Sequence, residues 1–203
     1  MKLYFAETMC PRKACAAARY LGSPVEFVRV DLAAGEQKRP EFLAINPNGK
    51  VPALVDGDLR LWEANAIMGH LALKAGSDFL PTDAARLIEV MRWLGWDAEH
   101  FSRHAGVLHF EYIIKERFGI GRADAAAVAE ATGHVRRYAA VLDAHLAGRR
   151  WLVGDAPTVA DFAVAVALPA ADEAHIPLSE FPAVARWHDR LNGIEAWRNP
   201  FPS

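Results

Sequence analysis

Three short stretches of this chain hold residues whose types and neighbours could do chemistry. In ETMCPRK, residues 7–13, Cys10 stands directly before Pro11. Proline is favoured as the first residue of a helix, so the thiol would sit beside free N–H groups at the positive end of the helix dipole. That setting stabilises an anion such as a thiolate. Thr8, two residues earlier on the strand-to-helix connection, brings a hydroxyl to the same place. In LWEANAI, residues 61–67, Glu63 precedes a helical pattern. Its carboxylate can stabilise the helix start by itself, or it can take a ligand ammonium while neighbouring N–H groups take the ligand's carboxylate. An amino acid's α-carbon end presents that pair of charges. In NPNGKVPAL, residues 46–54, Pro52 removes a backbone donor where the run Ala53-Leu54-Val55 should enter a sheet. A cis Val51–Pro52 bond would turn the N–H and C=O of Val51 out of the sheet. A peptide-like ligand can then pair with Val51 as an added antiparallel strand.

Other candidates are weaker on spacing. Cys15 lies five residues after Cys10, too far for a CxxC dithiol, and reads as a small buried hydrophobe among alanines. In the helical pattern over 83–105, Leu87, Met91, Leu94, Ala98 and Phe101 form one apolar stripe, the expected core face. Trp93, Asp97, His100 and His104 form a second stripe. It reads as the wall of a second-substrate cleft, or alternatively as a solvated face or dimer surface. His100 and His104 have metal-ligand spacing, but no third ligand accompanies them and no metal is expected.

Positioning these groups requires a definite set of elements. KLYFA suits a buried strand, and Pro11 and Gly22 bracket a helix. PVEFVRVDL alternates as a strand does, Asp56-Gly57 marks a hairpin turn, and EANAIMGHLALKAG has helical spacing. The order is β-α-β, a short helix, then β-β-α. From Pro81 onward only helical patterns follow, over 83–105, 107–118, 124–147, 158–173 and 180–194, and Lys74–Asp83 reads as the linker.

Composition excludes several classes. The 203 residues are 52% hydrophobic and 24% charged with a net charge of −2, which leaves no electrostatic footprint for nucleic acid or an anionic membrane. The opening MKLYFAETMCPRK turns charged too early for a secretory signal, and the apolar run Phe162 to Ala171 is well short of the ~20 residues that span a bilayer. Two cysteines without such a signal point to a reducing compartment, so a cytoplasmic protein is expected.

In this order and at these separations, the three stretches resemble the glutathione transferase superfamily, and the whole chain fits. The resemblance implies an α/β thioredoxin-like glutathione-binding domain over 1–78. An all-α domain over 84–203 would follow and supply the second-substrate site. NPNGKVPAL is similar to the family's glutathione loop with its cis-proline. LWEANAI resembles its E-S-x-A-I helix start, except that Ala64 replaces the usual serine. Asn65 or backbone N–H groups then cover part of the γ-glutamyl carboxylate contact, and weaker or differently anchored binding is expected. The resemblance also implies Lys50 and Lys38 as partners for the glycine carboxylate, and Val51, Pro52 and Glu63 as further glutathione contacts. Thr158 and Asp161 in GDAPTVADFAV resemble the family's structural capping box.

The implied activity is a transferase that conjugates glutathione to a small apolar electrophile or exchanges it with a disulfide, including disulfide reductase or peroxidase chemistry. Glutathione is a co-substrate, no cofactor is implied, and a homodimer is expected. Cys10-Pro11 is similar to the cysteine-type beta and omega classes, whereas Thr8 falls where serine- and threonine-type members place their hydroxyl. Both stay open, with Cys10 placed first. A different class, a non-catalytic glutathione-transferase-like interaction or ligand-binding module, draws its support from Ala64.

Overall fold

The computed structural model describes residues 1–202. Their contacts define two compact units, residues 1–81 together with those from Gly193 onward, and residues 82–192.

The first unit runs β1 (Lys2–Phe5), α1 (Met9–Tyr20), β2 (Glu26–Arg29), a 3-10 turn (Glu36–Lys38), α2 (Pro40–Leu43), β3 (Ala53–Asp56), β4 (Leu59–Trp62) and α3 (Ala64–Lys74). The sheet order is β2-β1-β3-β4. β1 pairs parallel with β2 and antiparallel with β3, and β3 and β4 form the hairpin announced by Asp56-Gly57. Alternation along each strand builds two apolar layers. Leu3, Phe5 and Leu54 face Ala14, Cys15, Ala18, Ile67 and Leu71 of α1 and α3. Tyr4 and Ala53, on the opposite face, meet Phe42 of α2 and Val30. Ala14 through Ala18 are at most 1% exposed, so small side chains let α1 lie close against its neighbours. The helix ends where Gly22, at φ 59°, closes a left-handed turn and Ser23 N–H reaches the Ala18 carbonyl at 2.9 Å.

The second unit is helical, and among the described residues no strand follows β4. The patterns over 83–105 and 107–118 form one uninterrupted run. It comprises α4 (Ala84–Trp96), a π segment (Asp97–Phe101), α5 (Ser102–His109), a second π segment (Phe110–Ile114) and α6 (Lys115–Phe118). Gly106, expected to separate two helices, does not break it; an interior glycine costs a helix only about 1 kcal/mol. α7 (Ala125–Leu146), α8 (Val159–Val164) with its 3-10 continuation (Ala165–Ala170), and α9 (Pro182–Asn192) complete the unit. Asp161, fully buried, accepts hydrogen bonds from the N–H groups of Leu152 (2.9 Å) and Thr158 (2.8 Å), the Thr158 hydroxyl (3.1 Å) and Trp187 Nε1 (2.9 Å). Burial pushes its carboxyl upward while these bonds pull it down. Thr158 and Asp161 form the capping box read from the sequence.

Residues from Gly193 onward, which the sequence reading put in the helical domain, group instead with the first unit. There α10 (Glu195–Arg198) buries Trp197 completely. Among the described residues, no helix is long and apolar enough to cross a membrane.

Candidate functional site

Strand pairing brings the candidate loops to one end of the sheet. Tyr4 of β1 lies opposite Ala53 of β3, and Ala53 lies opposite Trp62 of β4. The chain leaving β1 toward Thr8 and Cys10, the chain entering β3 through Lys50, Val51 and Pro52, and the chain leaving β4 into Glu63, Ala64 and Asn65 therefore emerge side by side. Adjacent strands are about 4.8 Å apart, so these three exits span roughly 10 Å, within reach of one extended tripeptide.

At the first exit the helix starts earlier than the proline signal suggested. α1 begins at Met9 with Thr8 as its N-cap in extended backbone, φ −134°. Pro11 is the third helical residue, where its missing N–H is still one the helix cannot use. Thr8 is half-buried, and its hydroxyl makes no capping bond. Cys10 is exposed and free, whereas Cys15 is buried and its thiol is pushed up to about 12, chiefly by burial. Cys15 is the inert packing residue expected, and Cys10 is the accessible thiol.

The second exit holds the cis Val51–Pro52 bond. Pro52 is buried, Val51 half-buried and Lys50 exposed. Among the described residues, neither the N–H nor the C=O of Val51 has a backbone partner. The loop before it is organised by Asn46, 3% exposed. Its side chain donates to the Lys50 carbonyl (2.6 Å) and accepts from the N–H and Nδ2 of Asn48 (3.0 and 2.9 Å). Gly49, at φ 60°, touches the 3-10 turn: an added Cβ would lie 3.0 Å from Lys38 Nζ and 3.1 Å from the Gln37 carbonyl. This close approach brings Lys38 to the loop that carries Lys50. Asn46 and Gly49 were not singled out from the sequence, although the N-x-x-G turn signal was there.

At the third exit Glu63 adopts φ 68°, ψ 116°, a conformation a side chain rarely takes, with its carboxylate exposed before α3. Ala64 belongs to the core layer at 5% exposed. Asn65 Oδ1 is buried with no hydrogen-bond partner among the described residues. An exposed carboxylate beside the free N–H groups of a helix start is the arrangement that takes an ammonium and a carboxylate together.

The second stripe departs from expectation. Trp93 is 5% and Asp97 1% exposed, so both side chains are buried rather than solvated. Asp97 accepts the Ser102 hydroxyl at 2.6 Å. His100 and His104 are half-buried and stack against α7: His100 on Tyr138 (4.8 Å) and His104 on His134 (4.1 Å). Among the described residues no group of three or more His, Cys, Asp or Glu side chains could hold a metal. The stripe expected in the core is instead partly outside, with Met91 58% exposed and Ala98 also exposed. The π segment from Asp97 shifts every later residue relative to a uniform 100° wheel. The large Trp93 ring also takes the buried phase.

The glutathione S-transferase N-terminal domain family matches residues 1–73, and the C-terminal domain family matches residues 102–195. Glutathione S-transferase 3 of Zea mays is 39% identical over 185 residues, covering 87% of this chain and 82% of its own length. Disulfide-bond oxidoreductase YfcG of Escherichia coli K12 is 31% identical over 210 residues, 96% of this chain and 91% of its own. The structure of glutathione S-transferase-I bound with lactoylglutathione superposes with a TM-score of 0.90 at 28% identity, over 98% of this chain and 97% of its own. With its sheet, its helical unit and its three clustered loops, the chain belongs to the glutathione S-transferase superfamily.

Proposed function

We propose that this glutathione transferase binds its co-substrate across the three exits and that the first turn of α1 meets the glutathione sulfur. The observation that carries the reading is the backbone edge at Val51, without a backbone partner among the described residues, flanked beyond the ends of the neighbouring strands by Thr8 with Cys10 and by Glu63. The tripeptide backbone pairs with Val51 as an added strand. Glu63 takes the γ-glutamyl ammonium. The N–H groups of α3, with Asn65, take the adjoining carboxylate in place of the serine that Ala64 lacks. Lys50 and Lys38 supply charge for the glycine carboxylate.

Glutathione's thiol then loses its proton to solvent, and donors at the start of α1 favour the thiolate. In conjugation the thiolate attacks an electrophilic carbon, a C–S bond forms, and the leaving group departs with its electron pair. In exchange the thiolate attacks a disulfide sulfur, a new S–S bond forms, and the other sulfur leaves as a thiolate. Cys10 can hold the mixed disulfide in the second route, since it is the exposed thiol. Likeness to YfcG, a disulfide-bond oxidoreductase, favours keeping that route beside conjugation. We further propose a homodimer, with Ile88 and Met91 offering exposed apolar surface on α4.

Two substitutions separate the chemical assignments. If Cys10 carries the chemistry, Cys10→Ala abolishes glutathione-dependent disulfide reduction and the Cys10–glutathione adduct in mass spectra, while Thr8→Val changes little. If Thr8 steadies the thiolate, Thr8→Val slows conjugation and moves its pH profile upward, while Cys10→Ala stays active. Full activity in both single variants would reject both residues and leave the backbone N–H groups of α1.

A further inference from the structure

The loop between β1 and α1 has few restraints of its own. Thr8 N–H reaches back to the Ala6 carbonyl at 2.7 Å, and the Thr8 side chain caps nothing. Glu7 is exposed and paired with Arg29 at 2.8 Å. Both flanks of the loop, however, are gripped by a segment almost two hundred positions away in sequence. On the near flank Phe5, the last residue of β1, stacks on Phe201, with ring centroids 5.9 Å apart and planes at 16°. On the far flank Arg12, in the first turns of α1, donates through Nη2 to the Trp197 carbonyl at 2.7 Å and to that of Arg198 at 3.5 Å. Its guanidinium also lies 5.3 Å from the centre of the Trp197 ring. These carbonyls belong to the last turn of α10, where a helix has acceptors without internal donors, so one cation satisfies both and ties two helices together.

We propose that Arg12 and Phe201 are positioning residues: through them, the segment from Gly193 sets the placement of Thr8 and Cys10 against bound glutathione. The inference rests on the reading that those two residues meet the sulfur. Purely structural anchoring would stabilise the unit with no special effect on turnover. Here the two anchors fall three residues before Thr8 and two residues after Cys10, bracketing the sulfur-facing stretch and leaving Val51 and Glu63 untouched. A displacement near 1 Å at such a group costs on the order of a hundredfold in rate. Glutathione binding, which depends on the other two exits, is largely spared.

The test uses the full chain with Phe201→Ala, Arg12→Met and the conservative Arg12→Lys, assayed with glutathione and an activated aryl halide across pH. Far-ultraviolet circular dichroism reports the folded fraction. In folded protein the expected result for Phe201→Ala and Arg12→Met is a KM for glutathione within about twofold of the starting protein. Their kcat falls tenfold or more, and the rising limb of the pH profile moves to higher pH. Arg12→Lys recovers part of the loss, because an ammonium still reaches one carbonyl. Two results overturn the proposal alone: wild-type kcat and pH profile in folded Phe201→Ala and Arg12→Met, or losses that only follow the unfolded fraction. If Cys10→Ala and Thr8→Val both keep full activity, the parent reading falls and takes this one with it. The three sets of rates therefore tell the failures apart.

Discussion

Glu63 is the residue at which an unusual conformation and a proposed ligand contact coincide. Its φ of 68° places a side-chain-bearing residue where backbone strain of about 1–3 kcal/mol is typical, and such strain persists where the surroundings fix it. The position opens α3 and presents an exposed carboxylate, so the strain and the proposed ammonium contact share one residue. Glu63→Gly should keep or raise the melting temperature, because glycine takes positive φ readily. The same change should weaken glutathione about tenfold or more, since a charge-assisted hydrogen bond contributes roughly 1.5–3 kcal/mol. Calorimetry for affinity and a thermal melt for stability measure the two separately. Unchanged affinity in a folded variant would move the γ-glutamyl site elsewhere. At this scale the sequence was informative, because Cys10, Thr8, Pro52 and Glu63 each stand beside a local punctuating residue or pattern. Asn46 passed unnoticed, although its side chain organises the loop that presents Val51.

Among elements, the contact between α5 and α7 carries a proton-sensitive pair of imidazoles. His104 stacks on His134 at 4.1 Å, and burial, then the His134 charge, then Arg103 hold the His104 imidazole below its ordinary range. Glu130 pulls the other way and His100 adds a smaller downward push. Burial also lowers His109 and His145 in the same unit. Because the unfolded chain accepts these protons near pH 6.5 and the folded chain resists them, the stabilisation is complete above about pH 6.5. It is lost as pH falls through the lower folded values. Thermal melts between pH 7.5 and 5.5 should show the midpoint dropping, and His104→Gln should make the drop shallower. A slope identical to that of the starting protein would remove His104 from the account. This packing was not legible in the sequence. Leu87, Ile88, Met91 and Leu94 put apolar residues on the outer phase of α4 as well, so the pattern had two apolar faces. The π segments then carry the later positions off the assumed wheel.

For the whole molecule, the exposed apolar face of α4 gives the proposed homodimer a measurable form. Ile88 and Met91 are 61% and 58% exposed, neighbours one helical turn apart. Light scattering at micromolar concentration should return twice the chain mass, and Met91→Glu should shift it toward the single chain. A monomeric mass for the unaltered protein would contradict the assembly. The order β-α-β, short helix, β-β-α and then helices was readable because each boundary carries its own glycine, proline or turn pair. The allegiance of the 193–202 segment was not. Arg12 and Trp197 are 185 positions apart, and nothing local announces a hydrogen bond between them.

That same closure has a consequence for how the protein is made. Roughly 120 residues separate Pro81 from Phe201, and synthesis at about 5–20 residues per second needs roughly 6–24 s to cover them. Throughout that interval the nascent sheet and α1 exist without the ring that stacks on Phe5 and without the carbonyls that hold Arg12. The helical unit, begun second, has its last residue, Asn192, synthesised before Phe201. The portion that leaves the ribosome first is therefore the last to be completed.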